Sequence, residues 1–297
     1  MTPFSTDRVK KVIETKLKSP IFIHATDGVR LAYYPFLPTA PQAIIIFYHG
    51  AGFWSGSLYQ HMAQALSDQH AIGVYLGDVR GHGNSEGPRG DAPSQEQVMR
   101  DVATLVDMVA LQHPGVPLIL GGHSSGAGMV LNFSSRPQNP SLLGYWLVAP
   151  FLGPDSGTIR QQVDPEKSFV TKVKVWAFLL NLVSGGYLCA HIPAVFFNYP
   201  HWVKEIDPLI VDFNTCAMIL ARAPRDAKKA FAQLQKPCFM YVGEQDEMLL
   251  PERVVAYQEL MAKHQVSSVA TVVPEADHLS IVLDCVDIFA ADLKKIL

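Results

Sequence analysis

Apolar residues fall along this chain in short unbroken blocks separated by longer stretches of helical period. Residues 43–48, Ala-Ile-Ile-Ile-Phe-Tyr, are the plainest block. β-Branched side chains dominate it, as in a strand buried on both faces. Similar runs lie at 72–77, from Leu118, at 144–149, 237–242 and 268–273. Between them, 58–69, 94–112, the stretch after Gly126, 226–235, 252–263 and the end from about 280 read as helices. In 94–112, Val98, Val102, Leu105, Val106 and Val109 share one face. Residues 21–24 and 29–36 predict a hairpin around the Asp27-Gly28 turn. Strands alternating with helices predict an α/β fold, a parallel sheet covered on both faces. Ligand sites in such sheets lie beyond the carboxyl ends of the strands.

Residues 151–225 break this rhythm, so the chain divides into a core of 1–150 and 226–297 and an insertion between them. Residues 175–197 are apolar enough to suggest a membrane span by length alone. Gly185-Gly186, His191 and Pro193 interrupt the run, and a cap of short apolar helices suits it better than a span or a buried helix pair. Residues 1–20 carry Val9, Val12, Ile13 and Leu17 at helical spacing among lysines. A surface helix docked on the domain is expected there, with contact to an anionic membrane as the alternative. No signal-peptide pattern is present, which points to the cytoplasm.

The bulk numbers narrow the functions. The 297 residues are 48% hydrophobic and 17% charged, with a net charge of −3, so a large core is expected and a nucleic-acid partner is not. Four cysteines, Cys189, Cys216, Cys238 and Cys285, lack C-x-x-C spacing and read as reduced thiols. No metal or nucleotide motif occurs, so no cofactor is expected. Asn132-Phe-Ser134 fits a glycosylation sequon on a predicted helix and reads as chance.

The chemistry centres on Leu118–Gly126, Leu-Ile-Leu-Gly-Gly-His-Ser-Ser-Gly. Ser124 sits in Gly122-x-Ser124-x-Gly126, after an apolar run and before a helix, the context a nucleophile elbow requires. A plain strand–helix turn is the competing reading. A serine hydroxyl needs a base within reach, and the base needs an orienting acid. His278, in Pro274-Glu-Ala-Asp-His-Leu, is the candidate base. Asp246, in Gly243-Glu-Gln-Asp-Glu, is the candidate acid, with Glu244 and Glu247 as rivals. Asp277 adjoins His278, and a sequence neighbour rarely aims at its own ring. His264 reads as a solvated helix end, and His123 as packing that points away from the elbow. The N–H groups of Ser125 and of Ala51, in His49-Gly-Ala-Gly52, are the candidate oxyanion donors; a simple glycine turn is the alternative for the latter. Asp78–Gly87 reads as a loop that shapes the site, with catalysis by His82 the weaker option.

Taken together, His-Gly-Ala-Gly at 49, Asp-x-Arg-Gly-His-Gly-x-Ser-x-Gly at 78, Gly-His-Ser-x-Gly at 122, Gly-x-x-Asp at 243 and Asp-His at 277 resemble the monoacylglycerol lipase and lysophospholipase branch of the α/β-hydrolases. The resemblance implies an eight-stranded, mostly parallel sheet with an inserted helical cap. It implies cofactor-free hydrolysis of a monoacylglycerol or related lipid ester, by Ser124, Asp246 and His278 beside an oxyanion hole at Ala51 and Ser125. Phe53-Trp54 stand where such lipases carry Glu-His, which marks these two as candidate substrate contacts for a more apolar alcohol or acyl chain. The expected partner is a small lipid ester, with a peripheral membrane contact through the cap left open. A peptidase or thioesterase of the same fold, and a non-catalytic binding protein, are the alternatives.

Overall fold

The computed structural model describes residues 12, 15, 17–56, 58–136, 142–161, 168–199, 201–261 and 268–297. Most of the expected N-terminal helix, and His264, lie outside the described residues. Eight strands form one sheet: β1 Ile21–His24, β2 Arg30–Phe36, β3 Ala43–Tyr48, β4 Ile72–Gly77, β5 Leu118–His123, β6 Gly144–Val148, β10 Cys238–Gly243 and β11 Val269–Val273. Their order is β1-β2-β4-β3-β5-β6-β10-β11. β2 pairs antiparallel with both β1 and β4, and every other pair is parallel. Every residue of β3 to β6 and β10 is buried, as their unbroken apolar runs demand.

The topology decides where a site can form. The chain leaves β3 toward one edge and leaves β5 toward the other, so their carboxyl ends flank a crevice that no crossover covers. His49 follows β3 and Ser124 follows β5. Asp246 and His278 follow β10 and β11 on the same rim.

Residues 151–225 differ from the expected run of short helices. They hold an antiparallel three-stranded sheet, β7 Val170–Val173, β8 Pro193–Phe197 and β9 Phe213–Thr215, with helices Val175–Val183, His201–Ile206 and Cys216–Arg222 around it. The apolar stretch 175–197 is therefore one nine-residue helix and one five-residue strand joined by the turns of 184–192. Among the described residues no helix is long and apolar enough to cross a membrane. Asn132 is half-buried, and its amide donates to the carbonyls of Ala221 and Ala223 at 2.9 and 3.1 Å.

Candidate active site

The serine is delivered by strain. Ser124 adopts φ 54° and ψ −119° at the head of helix Ser125–Ser134, a conformation that costs on the order of 1–3 kcal/mol for a non-glycine residue. Two glycines make the sharp turn possible. A Cβ on Gly122 would sit 2.5 Å from the carbonyl carbon of Gly126, and one on Gly126 would sit 2.5 Å from the carbonyl oxygens of Tyr48 and His49.

The three predicted chemical groups meet. His278 Nε2 lies 3.1 Å from Ser124 Oγ, and its Nδ1 lies 2.8 Å from Asp246 Oδ2. The other carboxylate oxygen, Oδ1, accepts the N–H groups of Met248 and Leu249 at 2.9 and 2.7 Å. Burial opposes ionisation of Asp246, yet His278 and these N–H groups hold its carboxyl below the ordinary carboxylate value. Burial likewise disfavours the His278 cation, but the charge and hydrogen bond of Asp246, with Glu247 and Asp277 adding, hold it above the ordinary histidine value. An imidazole so placed can accept the Ser124 proton and bear the resulting charge.

The rival carboxylates are engaged elsewhere. Glu244 accepts the N–H of Glu275 at 3.1 Å, and Glu247 accepts the backbone N–H of His278 at 3.1 Å. Asp277 caps the turn after it, accepting from Leu279 and Ser280 at 3.0 and 2.6 Å.

Hydrogen-bond directions can be followed through the neighbouring rings, because a carbonyl only accepts. His123 Nε2 is 2.8 Å from the His278 carbonyl and must donate, so its Nδ1 accepts the Tyr59 hydroxyl at 2.9 Å. The Tyr59 oxygen in turn accepts the Gly50 N–H at 2.9 Å. Burial, followed by the neighbouring His278, pushes His123 down to about 3, so its ring is neutral. The histidine next to the elbow thus does not simply point away. It joins the backbone of the base to the loop after β3.

That loop is held at each carbonyl. His49 Nε2 accepts the Val79 N–H at 3.0 Å, which leaves Nδ1 to donate to the Gly50 carbonyl at 2.8 Å. The Gly50 carbonyl belongs to the same peptide as the Ala51 N–H, so this bond sets the direction of that donor. Arg222 Nη2 donates to the His49 carbonyl at 2.6 Å. The Tyr199 hydroxyl donates to the Ala51 carbonyl, and the Val211 N–H to the Gly52 carbonyl at 2.8 Å. Among the described residues the Ala51 N–H meets no acceptor. Ser125, first in its helix, has no intrahelical acceptor for its own N–H. Three of these four clasps come from 151–225, and the same segment sends Arg160 Nε to the Asp246 carbonyl at 2.8 Å.

Phe53 and Trp54 are buried. The Phe53 ring packs on Tyr59 and Tyr199, at centroid distances of 6.5 and 5.5 Å. The Trp54 indole donates to Asp207 Oδ2 at 2.5 Å and packs on Tyr34. The Asp78 loop supports the site from below. Asp78 accepts the N–H groups of Ser55 and Asn84 at 2.6 and 2.8 Å, and His82 is fully buried against the Arg80 carbonyl at 3.0 Å. The four cysteines are free. Among the described residues no cluster of three or more His, Cys, Asp or Glu is placed to hold a metal.

This sheet, its elbow and the loops at its carboxyl rim define an α/β-hydrolase. The chain belongs to the hydrolase family described as serine aminopeptidase, S33, whose model matches residues 39–280. It is 30% identical over 230 residues to the monoglyceride lipase of Homo sapiens, covering 75% of this chain and 71% of that one. It is 36% identical over 110 residues to the monoacylglycerol lipase of Mycolicibacterium smegmatis, a match spanning 37% of this chain and only 39% of the relative. Its fold is shared with a soluble variant of monoglyceride lipase from Saccharomyces cerevisiae solved with a substrate analog, at a TM-score of 0.70 and 18% identity, covering 95% and 96% of the two chains. The protein is an α/β-hydrolase of the monoglyceride lipase-like branch.

Proposed function

We propose that this protein is a serine hydrolase that cleaves a lipid-like carboxylic monoester through an acyl-enzyme. The observation that carries the reading is the closed chain of hydrogen bonds from Asp246 through His278 to a strained Ser124. Ser124 Oγ attacks the ester carbonyl while His278 Nε2 takes its proton. The carbonyl electron pair moves onto oxygen and is met by the N–H groups of Ala51 and Ser125, each worth about 3 kcal/mol at such a centre. The pair returns, the carbon–oxygen bond to the alcohol breaks, and His278 gives the proton to the departing alcohol. Water then repeats the sequence on the acyl-enzyme, with His278 again as base, and frees the acid. Asp246 keeps Nε2 facing the serine and stabilises the imidazolium.

A lipid-like substrate is supported by the surface of 151–225 and by the names of its relatives. Trp176, Leu179, Leu182, Val183 and Tyr187 are each exposed by half or more, a contiguous apolar stretch larger than scattered surface residues explain. Lys172 and Lys174 lie beside it, both over the Phe196 ring. Basic residues rimming an apolar helix suit a peripheral contact with a lipid aggregate. An aminopeptidase needs carboxylates to grip a substrate amine, and three of those in the insertion already have partners: Asp207 in Trp54, Asp212 in Lys204 and Glu205 in His201.

The test is a chain-length series of monoacylglycerols and p-nitrophenyl esters, run beside an aminoacyl-anilide on the wild type and on Ser124→Ala. The variant is expected to lose turnover by on the order of 10⁶-fold with its melting temperature unchanged. Retained turnover, or preference for the anilide, refutes the reading. A rate jump above the micellar limit supports the lipid contact, and a flat response counts against it.

A further inference from the structure

Arg222 is 1% exposed, at the end of helix Cys216–Arg222. Among the described residues it forms no ion pair with a carboxylate, and its Nε has no hydrogen-bond partner. A buried charge without a counter-ion is costly to a fold. The structure nevertheless holds it firmly: the Asn132 amide grips the carbonyls on either side, those of Ala221 and Ala223. The backbone of Gly128 in the elbow helix is so close that a Cβ there would lie 2.4 Å from the Arg222 carbonyl oxygen. What the guanidinium reaches is the His49 carbonyl, at 2.6 Å, and the His82 ring, at 3.4 Å. Burial lowers the Arg222 pKa to about 10, which leaves it charged at neutral pH.

We propose that Arg222 is a positioning residue for the oxyanion site, acting through the His49–Gly50 peptide and supplying a positive charge that stays uncompensated until the reaction makes an anion. The claim rests on the serine-hydrolase reading above. Its geometry is a relay: Arg222 fixes the His49 carbonyl, the His49 ring fixes the Gly50 carbonyl, and the Gly50–Ala51 peptide presents its N–H to the oxyanion. The same charge, after burial, keeps His49 neutral, so its Nε2 stays bare to accept the Val79 N–H and its single ring proton sits on Nδ1, facing the Gly50 carbonyl. A neutral ester gains little from a buried positive charge, whereas the tetrahedral oxyanion gains much in a low-dielectric site. The effect therefore belongs in kcat and not in KM.

Two conservative variants separate the charge from the hydrogen bond. Arg222→Gln keeps a donor without the charge, and Arg222→Lys keeps the charge. Each is compared with the wild type in kcat and KM for a short p-nitrophenyl ester. The same proteins are titrated with a phenylboronic acid, whose boron takes an electron pair of Ser124 Oγ while the hydroxyl proton passes to His278 Nε2, so that the boron becomes a tetrahedral anion beside the imidazolium. The Gln variant is expected to lose between about 10- and 100-fold in kcat, with KM within about twofold and boronate affinity falling by the same factor as kcat. The Lys variant is expected to regain most of both. A Gln variant at wild-type kcat and boronate affinity overturns the proposal, and so does one impaired in KM alone. Should the Gln variant not fold, the Lys variant decides: retained boronate affinity supports the charge, and loss of the affinity overturns it. Labelling of wild-type Ser124 by a fluorophosphonate is run first. Unlabelled protein sinks the hydrolase reading itself, whereas labelled protein with an unimpaired Gln variant sinks only the role of Arg222.

Discussion

Two arginines are buried almost equally, Arg80 at 2% exposure in the loop after β4 and Arg222 at 1% at the end of helix Cys216–Arg222, against the loop after β3. Arg80 is matched. Its Nε and Nη2 fork onto Asp101 at 2.8 Å each, and Nη1 meets Asp27 at 2.9 Å. Arg222 meets a carbonyl and a neutral imidazole. A paired charge is spent on holding the fold, and its field is cancelled a few ångströms away. An unpaired one leaves its field available to whatever anion forms nearby. The difference teaches how one rim can carry both duties. The Asp78 loop, tied to the core by carboxylates, is scaffold. The His49 loop, tied by neutral donors and one uncompensated cation, remains electrostatically open.

The site can be broken from its acidic side. Asp246→Asn is expected to lower kcat by on the order of 10⁴-fold, as at other serine–histidine–acid sites. The sign of the accompanying pH change follows from His278, whose pKa Asp246 raises by charge and hydrogen bond. The base must be neutral to act, so activity falls as pH drops through that pKa. Removing the carboxylate lowers it, and the acidic limb of kcat/KM moves to lower pH. A limb that stays in place, measured on the residual activity, would show that Asp246 is not the charge felt by His278.

Next in size is the scaffold arginine. Asp101→Asn leaves the Arg80 fork facing a neutral amide, and breaking a buried pair from one side costs about 3–5 kcal/mol. A fall in melting temperature of roughly 5–10 °C is expected, with turnover per folded molecule unchanged. Lost turnover at intact stability would erase the contrast between the two arginines.

How much of this was legible beforehand depended on whether the signal was local. The apolar run 43–48 and the glycines around Ser124 report their own environment, so β3 and the elbow could be read directly. Asp246 and His278 lie 32 residues apart but each follows its own strand, and the order of motifs brought them together. Arg222 had no such marker: a lone basic residue at a helix end ordinarily reads as a solvated complement to the helix dipole. Its partner His49 is 173 residues away, and Tyr199 reaches Ala51 across 148. Residues 193–197, Pro-Ala-Val-Phe-Phe, form β8, but a short apolar run does not distinguish strand from helix.

The smallest expected effect sharpens the assignment of the acid. Glu247 adjoins Asp246, is pushed above the ordinary carboxylate value by burial, and still raises His278 by its charge. Its Oε2 accepts the His278 backbone N–H at 3.1 Å, a bond that a glutamine oxygen can keep. Glu247→Gln therefore removes charge without removing the acceptor. The acidic limb of kcat/KM should move to lower pH, in the same direction as in Asp246→Asn, while the plateau stays within roughly twofold, or ~0.4 kcal/mol of barrier. The two carboxylates then separate by plateau rate: one holds the imidazole ring through Nδ1, and the other only adds to its field. A plateau loss as deep as that of Asp246→Asn would instead make Glu247 a second orienting acid, and would place the negative end of the site on a pair of carboxylates.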